Sequence, residues 1–117
     1  MFNFEKLDTW HEAIAFADKV YAVTRHFPDE ERFALTTQMR RAAVSISSNI
    51  AEGSSRSSRP DYIRFTEIAT GSLFEVVSQT TIAKRQGLIS EKEHNEIYAA
   101  AEKQSRMLSG LRRSLES

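Results

Sequence analysis

The chain has 117 residues, no net charge and no cysteine, which excludes a disulfide framework and a zinc–thiolate site. Its content of Leu, Ile, Val and Phe is high enough for one domain to bury a core, and this excludes intrinsic disorder. No apolar run approaches the ~20 residues of a membrane span, and the opening MFNFEKLD lacks a secretory h-region, so a cytoplasmic protein is expected.

Helical periodicity dominates, interrupted by only two prolines and four glycines. The first helix, about residues 8–26, places Leu7, Trp10, Ile14, Ala17 and Tyr21 on one face. Thr9 and Glu12 have the form of a capping box at its start. It should stop before Phe27-Pro28, because the residue preceding proline disfavours the α region. The second helix, about 30–53, should start at Asp29 or Glu30, whose carboxylates suit the positive end of a helix dipole. Its core face carries Leu35, Met39, Ala42, Ile46, Ile50 and Gly53.

GSSRSSRP breaks that pattern. Ser58 and Asp61 frame the third helix, about 59–86, with Pro60 tolerated in its first turn. Its core face reads Tyr62, Phe65, Ala69, Leu73, Val76, Thr80 and Ala83, and Gly87-Leu88 fits a Schellman stop. Ser90 and Glu93 form a capping box for the fourth helix, about 91–115, with a seam of His94, Ile97, Ala101, Gln104, Leu108, Leu111 and Leu115. Helices of this length with short connections predict an all-α, antiparallel up-down-up-down four-helix bundle, with residues 1–117 forming one domain.

Several apolar residues fall opposite the core faces just described. They are Phe16, Val20 and Val23 on the first helix, Phe33, Val44 and Ala51 on the second, and Ile63, Phe74 and Val77 on the third. Helices apolar on two faces favour burial on both, so a homo-oligomer is expected. Phe16, Val20, Val44, Ile63, Phe74 and Val77 are the candidate interface residues.

The chemistry-bearing residues point away from catalysis. Glu91-x-x-His94 and Asp8-x-x-His11 resemble halves of a di-metal carboxylate site, but they begin helices at opposite ends of such a bundle, so no metal is expected. Neither a G-x-S-x-G elbow nor a glycine-rich phosphate loop occurs, and no cofactor is expected. Glu52 and Glu75 could approach across the second and third helices as paired carboxylates, although Glu52 also suits an ion pair with Arg56. A non-enzymatic protein is the expectation.

Charge is unevenly spread. Residues 1–31 hold seven acidic and three basic side chains, whereas residues 32–64 hold six arginines against Glu52 and Asp61. Gln38, Arg41, Ser45, Asn49 and Glu52 form one polar stripe that can satisfy itself at a helix boundary. Arg40 lies off that stripe, and Arg56, Arg59 and Arg64 surround the third helix start, where backbone N–H groups also favour anions. These four arginines are the nucleic-acid candidates, through phosphates of RNA or DNA rather than base edges. The alternative is a protein-only interaction module whose arginines serve subunit contacts.

The sequence resembles the 23S rRNA-intervening-sequence (S23 ribosomal protein) family. The resemblance rests on FEKLDTW, Phe27-Pro28, LTTQMRRAAVSISSNIAEG from Leu35 to Gly53, Arg56, and ATGSLFE from Ala69 to Glu75. It implies a four-helix bundle assembling as a ring-like homopentamer. The family is also similar to the accessory variability proteins of diversity-generating retroelements, basic pentamers that bind nucleic acid and a reverse transcriptase. It names no protein partner and no process.

Overall fold

The structure, a computed structural model, describes residues 1–116. Four helices account for most of the chain: α1 (Asp8–Thr24), α2 (Thr37–Ser54), α3 (Arg59–Arg85) and α4 (Glu91–Glu116). A 3₁₀ turn over Asn3–Lys6 precedes them, and no strand occurs among the described residues. α2 packs between α1 and α3, while α4 packs on both α3 and α1. The helices thus surround one core in which Phe16, Met39, Ile46, Ile50, Leu73, Ile97 and Leu108 are fully buried.

The helix ends explain the chain's turns. Ser58 caps α3 by accepting the Asp61 N–H at 3.2 Å. At the start of α4, the Ser90 hydroxyl and the Glu93 carboxylate each accept the other's backbone N–H, at 3.1 and 2.9 Å. Gly87 takes φ of 75°, and the Leu88 N–H reaches back to the Ala83 carbonyl at 2.9 Å, which completes the Schellman closure of α3. The start of α1 differs from expectation. Leu7 is its N-cap and makes no side-chain cap bond, Thr9 is buried inside the first turn, and Glu12 is ion-paired to Lys103 of α4 at 2.8 Å.

α2 also begins later than its acidic residues suggest. Asp29, Glu30 and Glu31 do sit at a helix start, but of a 3₁₀ turn. A π-helical turn over Arg32–Thr36 follows, in which Ala34 leaves helical geometry at φ −119° and ψ −106°. Regular α structure starts at Thr37, whose hydroxyl donates to the Arg32 carbonyl.

The core corrects the expected face of α1. Ala13, Phe16 and Val20 face the other helices, with Phe16 at 1% and Val20 at 0% exposure, whereas Ile14 and Tyr21 lie on the surface. Phe16 and Val20 are therefore core residues and are removed from the candidate interface. The helix is rotated by about one residue, or 100°, from the expected face. Two apolar stripes compete on α1. The one holding Trp10 and Tyr21 keeps its polar ring atoms near water, and the one holding Ala13, Phe16 and Val20 between Thr9 and Thr24 goes inside. On α2, α3 and α4 the middles of the expected faces are buried, while Leu35, Tyr62, His94, Leu111 and Leu115 at their ends are half-buried.

Gln104 is the one fully buried amide of the core, at 0% exposure. Its Nε2 donates to the Thr9 carbonyl at a long 3.3 Å, and its Oε1 has no partner. An orphaned buried oxygen costs more than one long hydrogen bond returns. Gln104→Met should therefore stabilise the fold by about 1 kcal/mol, raising Tm by roughly 4 °C. A calorimetric Tm below that of the parent would show that the bond to Thr9 outweighs the orphaned oxygen.

Candidate functional site

The turn from α2 to α3 gathers three of the four candidate arginines, and each has an interaction within the chain. Ser54 and Ser55 close α2 by donating their hydroxyls to the Ala51 and Glu52 carbonyls, which accounts for part of the serine-rich composition here. Arg56 donates to the Glu52 carboxylate at 2.7 Å and lies 3.9 Å from Asp61. Arg64 meets Asp61 at 3.1 Å. Both guanidinium groups also lie over the buried Phe65 ring, each 4.6 Å from its centroid. Arg59, in the first turn of α3, has an interaction partner as well. Two carboxylates and one aromatic ring thus hold the loop arginines against the bundle.

Arg40 has a different structural role. α1 carries no basic residue in its last turn, and Arg40 reaches from α2 to that end. Its Nε donates to the Thr24 hydroxyl at 2.8 Å and its Nη2 to the Tyr21 carbonyl at 3.4 Å. The guanidinium also lies 4.5 Å from the Tyr21 ring centroid. A cation at a helix C-terminus is favoured by the dipole and by the unsatisfied carbonyls there. Arg40 is therefore a brace between two helices, and sequence spacing alone had no signal for it.

The polar stripe of α2 divides in two. Ser45 shares a hydrogen bond with Ser72 of α3 at 2.9 Å, and the Asn49 amide donates to both the Ser45 hydroxyl and carbonyl. Those residues join α2 to α3 as expected, and Glu52 closes the stripe on Arg56. Gln38 and Arg41 do not join it: both are exposed, and Arg41 makes no ion pair among the described residues. Glu52 and Glu75 are not brought together either. Gly53 abuts Phe65, so Glu75 lies ten residues further along α3, about 15 Å away. Its carboxylate accepts the Gln79 amide at 3.1 Å.

Apolar side chains are exposed on two flanks, in addition to Phe2, Phe33, Ile68 and Ile82 elsewhere. Between α3 and α4, a groove of about 400 Å³ is lined by Leu73, Phe74, Val77, Thr81, Tyr98 and Ala101. Phe74 stands 63% exposed at its edge and Tyr98 48%. Across the bundle, Ile14 and Tyr21 of α1 and Val44 of α2 are exposed, with Val44 one turn beyond the Arg40 that covers Tyr21. Of the candidate interface residues, Val44 and Phe74 are exposed, and Ile63 and Val77 are half-buried. Tyr98, Ile14 and Tyr21 were not singled out from the sequence, because the last two had been assigned to the core.

Four helices around one core, with a braced polar turn and two apolar flanks, define a small all-helical protein. The family model described as 23S rRNA-intervening sequence protein matches residues 5–110, and the chain belongs to that family. Its fold is similar to the crystal structure of a protein with unknown function from the S23 ribosomal protein family of Bacteroides thetaiotaomicron. The two are 21% identical, with a TM-score of 0.83 over 90% of this chain and 95% of that one. No curated protein matches the chain.

The turn gives two predictions. A Cβ on Gly53 would fall 2.9 Å from the Phe65 Cβ and 3.0 Å from the Tyr62 ring, so α2 and α3 meet here at a distance only glycine permits. Gly53→Ala should cost about 1–3 kcal/mol of stability in urea denaturation, and an unchanged midpoint would refute that close approach. Burial pushes the Tyr62 phenol above its ordinary value. The unfolded chain therefore loses this proton first, and the contribution is intact below pH ~10 and lost above it. Tyr62→Phe should flatten the decline in stability between pH 9 and 11 that the parent shows.

Proposed function

We propose that the protein is a non-enzymatic, cytoplasmic scaffold that functions by self-assembly. In this reading the helices run up, down, up and down, and copies join head to tail in a ring, which the family resemblance implies is a pentamer. The observation that carries the proposal is the pair of apolar flanks. One is a groove edged by Phe74 and Tyr98, the other a set of exposed side chains, Ile14, Tyr21 and Val44. Each helix packs on two neighbours, so the α1/α2 flank lies opposite the α3/α4 flank. Two different surfaces on opposite sides favour a heterologous contact, which closes into a ring when the rotation per copy permits.

The arginines favour this protein-only reading over phosphate binding. Arg40 braces α1, while Arg56 and Arg64 are paired with Glu52 and Asp61, which a phosphate would have to displace. Light scattering on the wild-type chain should give a mass several times that of one copy. Phe74→Glu should return it to monomers with its helical circular dichroism unchanged. A wild-type chain that stays monomeric at tens of micromolar would refute self-assembly. Filter binding with RNA and DNA at low salt should show no retention. Retention that falls steeply with salt and is lost in Arg56→Ala would instead support the nucleic-acid reading.

A further inference from the structure

Arg41 and Glu75 are two opposite charges that the fold places close together and leaves without ionic partners among the described residues. Among the described residues, Arg41 is exposed and donates to no group, and Glu75 is exposed and accepts only the neutral Gln79 amide. Their level follows from the Ser45–Ser72 hydrogen bond. Contacts move back along α3 as they move forward along α2, since Gly53 abuts Phe65. Arg41 lies four residues before Ser45, about 6 Å along the axis, and Glu75 three residues after Ser72, about 4.5 Å in the same direction. The two charges therefore stand at nearly one height on the α2/α3 face.

Their directions matter as much. At 100° per residue, Arg41 turns about 40° from Ser45 and Glu75 about 60° from Ser72, both away from the buried Ala42 and Val76. Both side chains lean out of the seam rather than across it. Exposed Val44 and Ile68 lie on the same outward sides of α2 and α3.

We infer that Arg41 of one copy forms an ion pair with Glu75 of the neighbouring copy and sets the register of the assembly. The inference rests on the self-assembly proposed above. When the α1/α2 flank of one copy lies on the α3/α4 flank of the next, α2 is brought beside the neighbour's α3. A ring axis parallel to the helices keeps heights unchanged, so each interface receives one Arg41 opposite one Glu75. At the rim of an apolar contact such a pair chiefly rejects shifted registers, because sliding by one turn removes the attraction.

Charge reversal separates this arrangement from its rivals. Arg41→Glu and Glu75→Arg should each raise the concentration at which the assembly dissociates on the order of tenfold. R41E/E75R should restore it. Mixing the two single variants, labelled with different fluorophores, should yield mixed assemblies tighter than either variant forms alone, since one offers only glutamates and the other only arginines. Only pairing between copies produces that rescue. Arg41→Gln, which removes the attraction without adding repulsion, should give a smaller loss, and every variant should keep the parent's helical circular dichroism. Wild-type-sized assemblies from both single reversals, or a mixture that shows no rescue, would overturn the ion pair and leave self-assembly standing. A monomeric parent would overturn both. Loss of RNA retention in Arg41→Glu with assembly intact would assign Arg41 to phosphate instead.

Discussion

Phe65 controls the corner on which the arrangement of α2 and α3 depends. Its Cβ sits where a side chain on Gly53 would have to go, which sets how closely the two helices approach. Its ring lies beneath both Arg56 and Arg64, with Asp61 near each guanidinium. A buried aromatic edge thus gives the serine-rich turn a fixed geometry that its composition alone would not. Once this corner is set, Ser45 meets Ser72 and Leu73 faces the core.

The charge pattern of the middle of the chain changes meaning in three dimensions. A run of arginines reads as a basic patch when charges are counted along the sequence. In space Glu52 and Asp61 stand among them, and Arg40 lies against Tyr21 at the end of another helix. Exposed ion pairs are individually weak, about 0.2–1 kcal/mol each. They nonetheless hold the Arg56 and Arg64 guanidinium groups against the protein. The family name refers to a 23S rRNA-intervening sequence. In this chain Arg40, Arg56 and Arg64 are each held by partners on the bundle itself.

Much of this architecture was legible in the sequence, for identifiable reasons. Ser58, Gly87 and the Ser90–Glu93 box are local signals, since each acts on backbone within a few residues, and all three work as their types suggest. α1 was less legible, because two stripes of similar apolar content share one helix and only packing against α2 and α4 selects between them. That choice moved Phe16 and Val20 into the core and Ile14 and Tyr21 to the surface. The brace from Arg40 to Thr24 spans 16 residues and leaves no periodic trace. The groove between Phe74 and Tyr98 belongs to two helices jointly, so neither helix alone discloses it.

The seam between α1 and α4 differs in kind from the other three, which join helices adjacent in the chain. Gln104 reaches Thr9 across 95 residues of sequence, and Lys103 pairs with Glu12 at the same level. Closing so large a loop is entropically costly, although the cost rises only with the logarithm of its length. The helical hairpins, whose contacts are short-range, therefore have the kinetic advantage during folding, and the termini come together after them. The same seam bears the buried, half-satisfied amide. The last surface to form is thus also the one that holds an unpartnered amide oxygen in the core, and it is where the bundle is expected to open first under stress.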